Sequence, residues 1–213
     1  MQARPEYDVA DEAGLRALFP PTHEIAVRKA MDGLDRHARA FVARAPFLVI
    51  GTQSADGTAD VSPRGDPPGF VRVLDDRTLA IPDRPGNNRL DTLSNLVANP
   101  SVALIFMVPG YEETLRVNGR ARVTTDPELL SGLEHEGRRP RVAILVAVEE
   151  AFLHCAKAFR RSRLWDPAAR QDRAEMPSLM GMLREQTGDA PEDGAELERL
   201  DAALESAYRD SMY

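Results

Sequence analysis

One cysteine, Cys155, stands in a chain of 213 residues. A lone thiol excludes an internal disulfide and fits a reducing compartment such as the cytoplasm. The chain also lacks a basic excess: 27 Lys and Arg against 34 Asp and Glu leave a net charge of −7. That balance opposes sequence-independent binding to a nucleic-acid backbone and attraction to an acidic membrane surface. Long hydrophobic runs are missing too. The longest clean one, residues 102–108, falls far short of the roughly 20 residues of a spanning helix. The opening MQARPEYDVADEAG has no basic segment leading into an apolar stretch, so no secretory signal is expected. No HxxxH, CxxC or acidic cluster has metal-ligand spacing, and no metal is expected. Neither GxGxxG nor GxxxxGK[ST] occurs, which leaves a Rossmann or P-loop nucleotide site without support. What remains is 43% hydrophobic and 29% charged, an ordinary soluble balance. A cytoplasmic protein is expected.

The pattern along the chain changes period several times. Val27, Met31, Leu34, Ala38 and Phe41 form a helical stripe, which predicts one amphipathic helix capped by Thr22 and stopped before Pro46. FLVIGT at 47–52 reads as a buried strand and SADG at 54–57 as a hairpin turn. A second extended segment starts at Thr58 and is broken by SPRGDPPG at 62–69. Further strands are expected near 70–74 and 78–81, then a helix over 89–98 with Leu90, Leu93, Leu96 and Val97 on one face. SVALIFMV at 101–108 reads as a strand buried on both sides. TLRVNGRARVT at 114–124 alternates apolar residues with Arg116, Asn118, Arg120 and Arg122, so its outer face is cationic. A short helix at Asp126-Pro127, a last strand within 141–153, and helices over 177–187 and 193–212 complete the reading, with TGDAPEDG as a linker. The fold class is mostly β with flanking helices, a compact antiparallel barrel. We expect an N-terminal helical extension over 1–45, a barrel over 46–167 and a C-terminal helical tail over 168–213.

Four segments carry more polar chemistry than their structure needs. Ser62, Pro63, Arg64, Gly65 and Asp66 read either as a plain bulge or as a turn that frees amides and Arg64 for a ligand. RPGNNR at 84–89 reads as a turn before a solvated helix start, or as an anion site. In the second reading Arg84 and Arg89 add charge to a positive helix terminus. Arg116 and Asn118 sit on the exposed face of their strand, where an ordinary solvent face is the plainer reading. His154, Cys155, Lys157 and Trp165 lie in a segment dense in Arg. Cys155 reads as a small buried hydrophobe, and a Cys-His nucleophile pair is disfavoured because adjacent extended residues face opposite ways.

Taken in order, FLVIGTQSADGTADVSPRGD, TLAIPDRPGNNRLDTLSNLVANPSVALIF, ETLRVNGRARVT and HCAKAFRRSRLW resemble the pyridoxamine 5'-phosphate oxidase-like flavoproteins, in a bacterial branch. The resemblance covers about 41–167. It implies a split β-barrel that dimerises and holds FMN in the subunit interface. It also implies that Asn88 and Arg89 bind the FMN phosphate, with Arg84 or Asn87 beside them. Ser62 to Asp66, with Ile81, Pro82 and Asp83, would line the flavin ring and ribityl chain. Arg116, Asn118, His154 and Lys157 would reach the flavin from the partner chain. The chain departs from the named oxidases in its acidic helical tail, ELERLDAALESAYRD, where they carry a substrate-gripping Arg/Trp segment. It also lacks the Arg-Lys pair they place at the phosphate corner. Pyridoxamine phosphate oxidation is therefore not expected, and no catalytic residue is nominated. The expected function is an FMN-dependent oxidoreductase of a small substrate. The alternative is an FMN-binding or flavin-sequestering protein without turnover, and a deazaflavin- or haem-using relative is a third reading.

Overall fold

A computed structural model describes residues 4–191 and 193–213. Residues 1–3 of the expected extension and Glu192 of the expected linker lie outside them. Residues 4–28 are exposed throughout and carry two short helices, α1 (Glu12–Ala17) and α2 (Glu24–Arg28). α3 (Arg36–Val42) then leads into β1 (Phe47–Gln53) and β2 (Ala59–Gly65). β3 (Arg72–Asp75), β4 (Thr78–Pro82), α4 (Asp91–Ala98), β5 (Ser101–Met107) and β6 (Thr114–Thr124) follow. The chain continues through α5 (Pro127–Gly132), β7 (Ala143–His154), α6 (Lys157–Ser162), α7 (Leu179–Thr187) and α8 (Gly194–Ser211).

The seven strands form one sheet in the order β2-β1-β5-β6-β7-β4-β3, and every neighbouring pair is antiparallel. The sheet curls without closing, a split β-barrel. Period-2 alternation sends Leu48, Ile50, Leu104, Phe106, Leu115, Val117, Ile144 and Val146 inward. Ala38, Phe41 and Val42 of α3 and Leu96 of α4 pack into the same core. β6 and β7 form its spine, with a register shift between Asn118 and Gly119. At that bulge a Cβ on Gly119 would overlap the Ala147 carbonyl oxygen, so only glycine lets the two backbones approach.

Four expectations change. The single helix of the 22–41 stripe is two helices. Met31 instead pairs with Ala151 through backbone bonds of 3.0 and 2.8 Å, and Asp35 caps α3 by accepting from the Ala38 amide at 2.8 Å. The Met-Asp-Gly-Leu-Asp run supplies a flexible glycine and a capping carboxylate, which outweigh periodicity there. The cap of α2 is His23, not Thr22: its Nδ1 accepts from the Ile25 amide at 3.4 Å. β2 runs unbroken through Ser62, Pro63 and Arg64, in register with β1; proline is tolerated because β2 is an edge strand. β5 is buried on one side only, with Ser101, Ala103 and Ile105 exposed. The cationic outer face of β6 is as expected, Arg120 and Arg122 being exposed and Arg116 and Asn118 half-buried. No described helix is long and apolar enough to cross a membrane.

Candidate cofactor-binding cleft

A cleft of about 1090 Å³ opens between β2, the 82–92 loop with the start of α4, and the 138–142 segment that precedes β7. Six arginines line it, Arg64, Arg84, Arg89, Arg138, Arg139 and Arg141, against three acids, Asp60, Asp83 and Asp91. The local field is therefore opposite in sign to the net charge of the chain.

The β2 wall is set by strand alternation, with Asp60, Ser62 and Arg64 half-buried on the cleft side. Arg64 Nη1 donates to Ser62 Oγ and, at 2.8 Å, to the Pro63 carbonyl. Burial holds the Arg64 guanidinium below its usual range against the pull of Asp83 and Asp60. Burial likewise pushes the Asp83 carboxyl above the usual carboxylate range, opposed by Arg64. For both groups the loss of water outweighs their mutual attraction.

Behind that wall, Arg84 Nε donates to Asp66 Oδ2 at 2.6 Å, with side-chain exposures of 17% and 1%. The second Asp66 oxygen accepts from the Tyr213 hydroxyl at 2.7 Å. The Tyr213 ring lies 4.6 Å from the His135 ring and 5.9 Å from the Arg84 guanidinium carbon.

At the corner, the Asn87 side chain accepts from the Arg89 amide at 3.1 Å. Asn88 and Leu90 are left-handed, φ 58° and 62°, on either side of Arg89. A left-handed Leu is costly and places successive amides on a concave surface. Among the described residues no side chain caps α4, and its first bond runs from the Ser94 amide to the Leu90 carbonyl at 2.8 Å. The amides of Asp91, Thr92 and Leu93 thus find no acceptor among the described residues, and all three residues line the cleft. Arg89 Nε rests on Asp91 at 2.8 Å. The helix begins two residues later than the sequence pattern implies, because Asn88 and Leu90 leave the helical region.

Ser62, Pro63, Arg64, Gly65, Pro82, Asp83, Arg84, Asn87, Asn88 and Arg89 are thus brought together. Asp66 supports their wall from behind. Ile81 is not in it: it is fully buried, opposite Ile144. Arg116, Asn118, His154 and Lys157 do not line the cleft of their own chain. Arg116 and Lys29 lie 5.1 and 5.0 Å from the Phe152 ring, and the His154 ring is 6.0 Å from it. Asn118 Nδ2 donates to Glu150 Oε2 at 2.7 Å, and Lys157 is exposed at the start of α6. Burial, then Lys29 and Arg116, hold the His154 imidazole below its ordinary value. One cross-strand row links the two places over the outer face of the sheet: Pro63, Val49, Ile105, Arg116, Phe152. Cys155 is exposed, not buried.

Sequence reasoning missed Arg138, Arg139, Arg141 and Tyr213. The run Gly-Arg-Arg-Pro-Arg at 137–141 was a visible signal for the first three; nothing local marks Tyr213. Among the described residues no group of His, Cys, Asp and Glu is placed to hold a metal ion.

Together these features define an antiparallel split barrel with a cationic cleft at its open side. Residues 34–155, more than half of the chain, match the profile of the pyridoxamine 5'-phosphate oxidase family, and the chain belongs to that family. Among solved structures it is similar to HupZ of Group A Streptococcus, at 16% identity and a TM-score of 0.47, over 56% of this chain and 93% of that one. A putative pyridoxamine 5'-phosphate oxidase from Lactobacillus delbrueckii gives 22% and 0.46, over 57% and 95%. An FMN-binding protein from Syntrophomonas wolfei gives 8% and 0.44, over 55% and 84%. No curated protein matches the chain.

Proposed function

We propose that this chain is an FMN-dependent oxidoreductase acting on a small organic substrate, working as a homodimer with two shared sites. The observation that carries the reading is the α4 corner. Three amides without acceptors among the described residues, two left-handed residues and the Arg89 guanidinium converge on one wall of the cleft. Left-handed residues persist where the surroundings require them, and unpaired helix-start amides favour an anion. The residues present therefore fit a phosphate-bearing cofactor. FMN would supply the two-electron chemistry.

The chain's own groups divide the remaining work. Asn88, Arg89 and the α4 amides hold the phosphate, with Asn87 fixing the Arg89 amide. Arg84 is held by Asp66, so it braces the wall more than it grips the phosphate. Ser62 to Asp66, with Pro82 and Asp83, line the ring and ribityl chain, and Ile81 supports them from the core. Arg116, Asn118, His154 and Lys157 approach from the partner subunit across the outer face. Val61 and Ile105 are 69% and 39% exposed there, a surface that a second copy would cover. The unit over 46–167 carries this work, with 1–45 and 168–213 as helical additions.

Arg89→Ala tests the anchor. It should weaken FMN roughly tenfold to a hundredfold and riboflavin, which has no phosphate, far less. Equal weakening of both would remove Arg89 from the phosphate. Reduction of the bound flavin by NADH or NADPH, then reoxidation by oxygen or a small acceptor, distinguishes an oxidoreductase from a flavin-sequestering protein.

A further inference from the structure

α7 and α8 lie beyond the stretch shared with the family, and apolar burial does little to fix where they sit on the barrel. Each helix is well started. Ser178 Oγ accepts from the Gly181 amide at 3.1 Å, and Asp193 Oδ1 accepts from the Glu196 amide at 2.8 Å. The two pack on each other at Gly181, where an added Cβ would stand 3.6 Å from both Leu197 methyls. Yet α8 buries none of its described residues, and no described residue beyond Ala151 belongs to the apolar core. Tyr213, which follows α8 and lines the cleft, supplies a hydrogen bond from this pair to the barrel. That one side chain meets three segments that are separate in sequence: Asp66 after β2, Arg84 in the 82–92 loop, and His135 ahead of β7.

Asp66 gives the contact its consequence. At 1% side-chain exposure its carboxylate has almost no water to turn to, so each oxygen needs a donor from the protein. Arg84 Nε supplies one at 2.6 Å and the Tyr213 hydroxyl the other at 2.7 Å. With the hydroxyl gone, Asp66 must turn toward another donor, and Arg84, which it holds at the cleft wall, turns with it. Tyr213 does not stand where the anion would bind. Its contacts with Asp66, His135 and Arg84 lie apart from Asn88, Arg89 and the α4 amides, and its hydroxyl is spent on the wall itself. It completes the cleft without competing for the contents. We propose that Tyr213 is a positioning residue of the cofactor cleft: docked, it fixes the Asp66–Arg84 pair, so that docking of α7 and α8 and occupancy of the cleft favour each other. This rests on the reading of the cleft as an FMN site. Linkage makes the effect reciprocal, since whatever docking adds to the affinity for FMN, FMN adds to docking.

Amide exchange across α8, with and without FMN, reads one side of this coupling, and FMN affinity reads the other. The full chain is used as wild type, as Tyr213→Phe, and as Tyr208→Phe, a control in which an exposed tyrosine of α8 loses its hydroxyl. FMN should slow α8 exchange in the wild type and the control roughly fivefold or more, and in Tyr213→Phe less than about twofold. Tyr213→Phe should also weaken FMN roughly fivefold, and riboflavin equally, because the phosphate is not what Tyr213 serves. A tie that merely holds the helices in place would loosen α8 and leave both affinities at the wild-type level, which overturns the proposal. It is overturned as well if FMN leaves α8 exchange unchanged or speeds it, or slows it equally in Tyr213→Phe. If FMN binds none of the three proteins, the cofactor reading falls, and the positioning role is read without ligand. Exchange over 82–90 that is faster in Tyr213→Phe than in Tyr208→Phe upholds it, and equal exchange there overturns it.

Discussion

The Tyr213 hydroxyl donates to Asp66 Oδ1 at 2.7 Å, joining positions 147 apart in sequence. Asp66 is the buried acid that also holds Arg84 at the cleft wall. One carboxylate therefore ties the segment after α8 to the Arg84 wall of the cleft. Tyr213→Phe keeps the ring against His135 and removes only this bond. The expected cost is on the order of 1 kcal/mol, or about fivefold more of the detached state. Faster amide exchange across α8, with β6 and β7 unchanged, is the measurement. Unchanged exchange would make the bond incidental. Alkali should act in the same direction. The hydrogen bond to Asp66 is the first cause raising the Tyr213 phenol above its ordinary value. Its contribution is thus present below about pH 10 and lost as pH climbs through the raised value.

Gly119→Ala tests the spine of the sheet. The new methyl group must displace the Ala147 carbonyl, which is backbone and cannot swing aside. A loss of about 3 kcal/mol or more, or failure to fold, is expected in urea denaturation. Gly51→Ala is the control, since its Cβ would meet the Ala103 carbonyl oxygen at 3.7 Å, an ordinary van der Waals contact. Near-equal stability of the two variants would show that the bulge between Asn118 and Gly119 is not fixed.

The shared-site dimer predicts complementation. An Arg116→Ala chain mixed with an Arg89→Ala chain forms heterodimers with one intact site and one doubly altered site. About half of the wild-type high-affinity FMN binding should return per heterodimer. No recovery in proven heterodimers, or a monomer in sedimentation at micromolar concentration, would rule out sharing.

His154 should titrate below about 6.5, the ordinary value, in NMR of the folded protein. The folded state then binds this proton more weakly than the unfolded state. Its contribution to stability is present above pH 6.5 and is lost as pH falls through the lowered value. Lys29→Met should raise the titration point, because Lys29 opposes the proton more strongly than Arg116 does. An unmoved titration point would leave the effect to burial and Arg116.

Legibility in the sequence followed the range of the interactions. RPGNNR was readable because Pro, Gly and Asn shape backbone locally and Arg carries its charge wherever it is placed. The alternation in β6 was readable for the same reason, and the order of segments pointed to the barrel. The break at Met31 was not, since a helical stripe runs on through Gly33 while the competing partner, Ala151, lies far along the chain. Exposure of β5 was missed because a run such as SVALIFMV looks alike whether its second face meets protein or water. Tyr213 belongs with Met31: its partner is set only by the tertiary fold.

The two ends of the sheet limit how another chain could extend it. At one end Pro63 has no amide to offer an incoming strand, and at the other β3 is four residues long and irregular between Val73 and Asp75. Neither border can be extended far by another chain's backbone, which blocks runaway growth of the sheet from molecule to molecule. The broad outer surface is left, where side chains, and not an open ladder, would select any partner.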